Sequence, residues 1–454
     1  MCICFGQNFR IACFLPITLG PICRMDNPHD AGDLHAMTNA VSKTLTVEAI
    51  VVGAGMAGMT LAHALASAGI EVAVVDRADP GTMMTAGHDG RTTAIAAGSA
   101  SVLKGIGLWD AIGVHACPIE TIRVSDGDSL MFLHFDHRET GDVPLGHIIE
   151  NRLIRRALFA SVEAVPNLTL MAPASIAAIT RDETGVAVDL AEGNRLRARV
   201  IFACDGRGSQ IRRDAGIKVA EWRYNQSSFV CAIAHEKSHQ NIAHERFLPG
   251  GPFALLPMTD LPVPVNGLRH QSSVVWSESN DLVPALRAMD DVDFTAALGR
   301  CVGGFLGRIA LASPRWVYPL GLIHAVRYTG QRLALVGDAA HGIHPIAGQG
   351  LNMGIRDVAA LAEVVVDARR LGRDIGDPDI LESYERWRRV DNMMLTVTTD
   401  GLTRLFSNDI APVRAVRDLG LGVINATPPA RRFFMRHAMG VVGDLPRLVR
   451  GEAL

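Results

Sequence analysis

The chain has 454 residues, 48% of them hydrophobic and 20% charged, so it can bury a large core, and length alone suggests two or three domains. A formal net charge of −3 and an isoelectric point near 6.6 leave no basic excess for nucleic acid, and the composition is that of a globular rather than a disordered chain. Four of the eight cysteines, Cys2, Cys4, Cys13 and Cys23, fall in the first 23 residues, and the rest show no C-x-x-C or zinc spacing, which predicts a reducing compartment and no disulfide frame.

Residues 1–45 read as an N-terminal extension, poorly ordered. The apolar stretch Ile11 to Cys23 is broken by two prolines and a glycine and is too short to span a bilayer. A signal peptide is one reading of it. A loose extension, or a start placed too early with Met25 or Met37 as the true one, is the other. No other stretch holds eighteen uninterrupted apolar residues, so no transmembrane helix is predicted.

Val47 to Val52 is a short apolar run with the composition of a strand buried on both faces. Gly53, Gly55 and Gly58 then form G-x-G-x-x-G: the first permits a tight turn, the second lets a pyrophosphate approach the backbone, and the third lets a helix pack on the strand. Leu61, Leu65 and Ala68 repeat at helical spacing. A second strand, Glu71 to Val75, ends in Asp76, 23 residues after Gly53, where a carboxylate can accept from both hydroxyls of an adenosine ribose. Strand, turn, helix, strand and acid in that order predict a dinucleotide-binding unit.

A third strand, Val200 to Cys204, ends in Asp205-Gly206, with Ser209 and Arg212 beyond; by itself such a pair could be any exposed turn. From Val219 to Tyr318 the runs "SSFVCAIAHE", "FALLPM" and "SSVVWS" alternate with proline and polar turns, the pattern of an antiparallel sheet. A fourth buried strand, Leu333 to Val336, leads to Gly337-Asp338, a loop from His344 to Gly350, and a helix with Leu351, Ile355, Val358 and Leu361 on one face. Asp338 can accept from a polyol such as a ribityl chain, while the helix start aims unpaired N–H groups and a positive dipole end at whatever precedes it. An isoalloxazine, which gains negative charge on reduction, suits that place better than a nicotinamide, so FAD is the expected cofactor. His341 and His344 stand three apart, but nothing nearby supplies a third ligand, and no metal is expected.

Taken together, these motifs resemble the flavin-dependent aromatic hydroxylases of the para-hydroxybenzoate hydroxylase fold, and "HPIAGQGLNMGIRD" is most similar to the ubiquinone-biosynthesis hydroxylases among them. "GRTTAIAAGSASVLKGIGLWDAI", "HIIENRLIRRAL" and "RLFSNDIAPVRAVRDLGLG" extend the resemblance from about Val47 to Gly440. It implies an α/β protein: a Rossmann-like FAD-binding domain from residues 46–125, 146–218 and 328–400, an antiparallel β-sheet substrate domain from 126–145 and 219–327, and a C-terminal helical segment, 401–454. It also implies site roles. Gly53, Gly55 and Gly58 hold the FAD pyrophosphate, Asp76 the adenosine ribose, Asp205 the pyrophosphate and reductant handling, and Asp338 the ribityl chain. The backbone of Gly350, Leu351 and Asn352 meets the flavin ring. Arg91 reaches the cofactor, with turn capping as its competing role. Where many relatives carry an arginine at a helix start, this chain reads Glu150-Asn151.

The implied reaction is reduction of FAD by NADH or NADPH, capture of O2 as a flavin C4a-hydroperoxide, and transfer of one oxygen to the ring of a prenylated phenol, in a site that must be dry. Pro345 suits a loop lying against one ring face. His344 or His341 assists phenol deprotonation or bonds the substrate hydroxyl, with backbone hydrogen bonding as the competing role. Two other readings stand beside this one: another flavoenzyme of the same fold, such as a hydroxylase of a small soluble phenol or a halogenase, whose W-x-W-x-I-P signature is absent, and a non-catalytic flavin-binding scaffold in a quinone-biosynthesis enzyme assembly. "ATPPARRFFMRHAMGVVGDLPRLVRG" mixes arginines with Phe433, Phe434 and Met435. Its first reading is a helix packed on the FAD domain, and its second a contact with a membrane surface or partner enzymes. The expected location is the cytoplasm, at the inner membrane's surface under the second reading.

Overall fold

The computed structural model describes residues 43–85, 90–127, 129, 131–344, 348–407 and 411–454; most of the extension assigned to 1–45, and Pro345, lie outside them. Ala49–Val52, Val72–Val75 and Val200–Ala203 are buried along their whole length, as strands covered on both faces must be. With Leu168–Met171, Leu333–Leu335 and the short strand Thr329–Gly330 they form a six-stranded sheet, parallel except where Thr329–Gly330 folds back on Leu333–Leu335. The chain builds outward from Ala49–Val52 through Val72–Val75 to Leu168–Met171, then returns to the other side at Val200–Ala203. The strand order therefore reverses between Ala49–Val52 and Val200–Ala203, and the carboxyl ends at such a reversal are where open α/β sheets bind ligands. Gly53, Asp76 and Asp205 all follow those ends. Helices Met56–Ser67 and Gln349–Arg370 pack together on this sheet, in close approach because a Cβ on Gly354 would already lie 3.4 Å from Gly337 Cα and 3.7 Å from Ala57 Cβ.

The second large sheet has nine strands. Its path runs from His341–Gly342 through Trp316–Ala325, Val219–His235, His270–Ser279, Gly251–Met258, Ile242–Leu248 and Thr121–Asp126 to Phe132–Asp136, with Ile309–Leu311 beside Val219–His235. It is antiparallel except where Ile242–Leu248 runs parallel to Thr121–Asp126. The α/β architecture with a second, antiparallel sheet is thus as the motifs imply. Thr121–Asp126 belongs to this second sheet although residues 46–125 are expected in the FAD-binding part: "TIRVSD" carries no buried alternation, and besides its hairpin neighbour Phe132–Asp136 the strand that ties it to the sheet lies about 120 residues away. Helix Pro378–Phe406 likewise runs through the boundary drawn at 400. Thr44–Thr46 pairs with Arg195–Ala198, so the last residues counted with the extension are strand.

The C-terminal helices mostly cover the second sheet rather than the FAD-binding part named in the first reading. Ala411–Ala426 and Pro428–Ala438 pack on Phe132–Asp136, because Leu421 and Ile424 meet Leu133 and Phe135 in one apolar cluster. The backbone N–H of His134 donates to Asn425 Oδ1 at 2.9 Å, and Arg417 Nε to Asp126 Oδ2 at 2.8 Å in a buried ion pair. Arg447–Arg450 packs instead on Ala97–Gly105 and Gln349–Arg370.

Candidate active site

The glycine turn separates what the fold needs from what a ligand needs. Gly53 sits at φ +106°, where a Cβ would lie 2.4 Å from the Cys204 carbonyl oxygen, and a Cβ on Gly58 would lie 1.9 Å from the Gly53 oxygen. Both must be glycine for the strand, turn and helix to pack. Gly55 is different: its φ is −68°, and a Cβ there would meet no atom within 4 Å. The helix that follows has no side-chain cap and no acid in its first turn, which leaves its leading N–H groups to an anion. Asp76 Oδ2 accepts the Ala54 N–H at 2.5 Å and Oδ1 the Ala78 N–H at 2.7 Å, so this carboxylate also fixes the turn. Across the sheet reversal, Asp205 Oδ2 accepts the Gln210 N–H at 2.9 Å, while its buried Oδ1 has no hydrogen-bond partner among the described residues. Such a buried orphan is rare in a native fold and marks a place for a group the chain does not supply.

The later motif builds a second cradle. Gly337 takes φ +59°, and Asp338 points outward, its side chain about half exposed, with Arg207 Nε at 3.3 Å. Helix Gln349–Arg370 starts from Gly348 at φ +61°, again with no side-chain cap and no first-turn acid, and a Cβ on Gly350 would meet nothing within 4 Å. Leu351 is half-buried against the core. The Asn352 side chain is fully committed: Nδ2 donates to the Ala94 and Gly348 carbonyls at 2.7 and 3.0 Å, and Oδ1 accepts the Ala96 N–H at 2.9 Å. It clamps strand Thr92–Ala96 to the helix start, and only its backbone is left for a ligand. The Arg91 guanidinium lies over the Tyr318 ring, 5.7 Å from its centroid. Glu150 takes Arg152 Nε at 2.5 Å, and Asn151 Oδ1 accepts the Thr93 hydroxyl at 2.6 Å.

Beneath Gly337 lies a buried polar network that sequence reasoning missed. Asp357, fully buried, takes His341 Nε2 at 2.5 Å on one oxygen and Arg388 Nε and Asn392 Nδ2 at 3.0 and 2.8 Å on the other. Burial alone would raise its pKa, but the His341 ring, the Arg388 guanidinium and the Asn392 amide together hold the carboxyl well below the usual carboxylate range. The Gly337 N–H reaches the same carboxylate at 3.3 Å, so the network props the turn that presents Asp338. Its signal was legible: an aspartate set next to Ile355, Val358 and Leu361 on an otherwise apolar stripe. His341 is thereby engaged by Asp357, and among the described residues no group of three His, Cys, Asp or Glu side chains could hold a metal.

A cavity of about 620 Å³ opens from the start of this helix. Gly348, Asn352 and the strand Thr92–Ala96 close one end; the second sheet and the C-terminal helices form its largely apolar walls. His344 is fully buried but stands off this wall, edge-on to Tyr224 with ring centroids 5.2 Å apart. Burial, then the Arg207 charge, push its pKa down to about 4, so it is neutral at physiological pH.

Residues 46–396 match the FAD binding domain family. The chain is 47% identical to ubiquinone hydroxylase UbiL of Rhodospirillum rubrum over 93% of this chain and 98% of that protein. It is 34% identical to the 3-demethoxyubiquinol 3-hydroxylase of Escherichia coli over 87% and 98% of the two chains. The chain belongs to the FAD-dependent hydroxylase family of ubiquinone biosynthesis. Among solved structures, p-nitrophenol 4-monooxygenase PnpA from Pseudomonas putida matches the hydroxylase with a TM-score of 0.71 at 19% identity, over 87% of this chain and 98% of that one, a likeness of fold. FAD is the hydroxylase's cofactor, and the open Gly55 and Gly350, the two uncapped helix starts and the orphan Asp205 oxygen suit its phosphates and ring. Among the described residues, no helix of the hydroxylase is long and apolar enough to cross a membrane.

Proposed function

We propose that the enzyme hydroxylates the ring of a prenylated phenol bound in the 620 Å³ cavity, with NADH or NADPH as reductant. The cavity's extent carries this reading. It runs from the helix start at Gly348 to Leu402, Leu405, Val416 and Phe434, which are themselves exposed at the surface. An aromatic head can reach the helix start while an isoprenoid tail lies along the walls and leaves at an apolar mouth. At about 0.8 kcal/mol per buried methylene, each five-carbon isoprene unit contributes roughly 3 to 4 kcal/mol of affinity.

The chain's own groups divide the remaining work. The Gly53–Gly58 turn and the start of Met56–Ser67 receive the pyrophosphate, Asp76 the adenosine ribose and Asp338 the ribityl hydroxyls. The backbone of Gly350, Leu351 and Asn352 faces the ring. Asp205 and Arg91 complete the cofactor's surroundings, and His344 belongs to the loop beside it. The chemistry supplied there is insertion of one atom of O2 into an aromatic carbon at the expense of the nicotinamide. Excluding water is the task of the apolar walls.

Exposed Leu402 and Leu405 on Pro378–Phe406 and Val416 on Ala411–Ala426 border the mouth, and the same two helices also expose Met394, Val397, Leu419 and Val423. They serve as a peripheral contact with the membrane that holds the substrate, or with other enzymes of quinone biosynthesis. The test is to supply FAD-loaded protein with NADH or NADPH, O2 and a geranyl-substituted phenol. The expected result is substrate-stimulated nicotinamide oxidation and a product heavier by one oxygen. Equal turnover of the unprenylated phenol at the same concentration would overturn the reading.

A further inference from the structure

We infer that Glu245, on the cavity wall, accepts the hydrogen bond and then the proton of the substrate's ring hydroxyl. The inference rests on the cavity being the phenol site proposed above. Strand Ile242–Leu248 alternates, and Ala243 and Phe247 join the apolar cluster around the cavity, so Glu245, between them, points the same way. Its cross-strand neighbours are Val124 on one side and Ala254 on the other, neither of which offers it a partner. Glu245 is partly buried and lines the cavity.

The other polar residues of the lining are already engaged. Thr92 bonds Ser273 Oγ, Gln349 the Ala438 carbonyl, Asn352 the Ala94 carbonyl, and Arg417 both Asp126 and the Leu405 carbonyl. His244 is on the opposite face of its strand, tilted against Phe305 at 4.6 Å, and burial with the nearby Arg123 and Arg246 charges depresses its pKa to about 4. Among the described residues of the elements around the cavity, Arg417 is therefore the one charged group on the lining besides Glu245, and it is paired with Asp126. Among the described residues no ion pair or hydrogen bond offsets the burial of Glu245, which pushes its pKa from 4.5 to about 8. A lone carboxyl in an apolar cavity is costly to retain, and it gives the cavity a proton acceptor tuned near working pH. In the step assigned to it, the ring O–H bond breaks, the proton passes to a Glu245 carboxylate oxygen, and the electron pair stays on the ring oxygen, enriching the carbon to be attacked. The proton returns to the product's oxygen before release, with no change of oxidation state.

The test uses full-length, FAD-loaded enzyme and its Glu245→Gln and Glu245→Asp variants with a geranyl-substituted phenol. In wild type, the ultraviolet difference spectrum of the bound phenol should show phenolate growing in as pH rises through about 8, and kcat should rise along the same limb. Glu245→Gln should keep bound flavin and a near-normal KM, lose the phenolate band and the pH limb, and drop kcat about 100-fold or more. Glu245→Asp should retain part of both. A Glu245→Gln enzyme with the wild-type spectrum and pH profile would overturn the inference. If wild type shows Glu245-dependent phenolate but forms no hydroxylated product, the proposed function fails and this assignment stands.

Discussion

Alanine at Gly55 and alanine at Gly58 should do opposite things. At Gly58 the new Cβ meets a backbone carbonyl oxygen at 1.9 Å, which no rotamer change can relieve, so the turn and helix must separate. Overpacking of this kind costs about 2 to 3 kcal/mol or more. At Gly55 the backbone is already at φ −68° and the Cβ enters open space. Reduced chain entropy in the unfolded state favours alanine by about 0.4 to 1 kcal/mol, and alanine's poorer N-capping opposes this by a similar amount, so apo stability should stay within about 1 kcal/mol of wild type. FAD binding should nonetheless suffer, because the Cβ holds the pyrophosphate away from the helix N–H groups. Losing two charge-assisted hydrogen bonds at about 1.5 kcal/mol each is roughly a 100-fold weaker Kd. Urea unfolding of the apoproteins and quenching of flavin fluorescence on titration measure the two quantities. Gly55→Ala protein that binds FAD as tightly as wild type would refute the placement of the dinucleotide at this turn.

Asp338→Ala should fold normally, since its side chain is half exposed with one partner at 3.3 Å, yet lose FAD; circular dichroism with flavin absorbance at full loading checks it, and full occupancy would count against the ribityl assignment. Asp357→Ala strands buried Arg388 and should cost about 3 to 5 kcal/mol in urea unfolding. Because the folded Asp357 carboxyl is held low, its contribution is complete above the unfolded value near 3.8 and is lost as pH falls through the lower folded one, so the gap between variant and wild type should be flat from pH 5 to 8 and shrink in acid. Glu245→Gln has the opposite sign: a folded value raised from 4.5 to about 8 means that stability is lost as pH rises between them. The variant should match wild type near pH 4 and exceed it by up to about 5 kcal/mol at pH 9, read by thermal and urea unfolding at each pH.

The parts of the site legible in the sequence were those a few consecutive residues make alone. Gly53, Gly55 and Gly58 announce a turn because their backbone geometry is local, and Asp76, Asp205 and Asp338 announce themselves by following apolar runs. Glu245 was legible in principle, as an acid at an inward position of "AHERFL", and Asp357 as an acid on an apolar helix stripe. Neither could be given a role without knowing what faced it. His344 drew attention as a loop histidine, yet it packs against Tyr224, away from the cavity.

By itself, then, the sequence determined the α/β character, the cofactor class and the family, because phosphate cradles and strand-end acids are short-range devices whose conformation is written in adjacent residues. Tertiary structure alone decided where the substrate cavity lies and which acid looks into it. Its walls come from residues near 95, 124, 245, 275, 350 and 420, and the parallel pairing of Thr121–Asp126 with Ile242–Leu248 and the docking of Ala411–Ala426 bring them together. Those contacts join segments more than a hundred residues apart, through a backbone ladder that is blind to side-chain identity and through apolar burial that is non-directional, and neither leaves a local pattern to read.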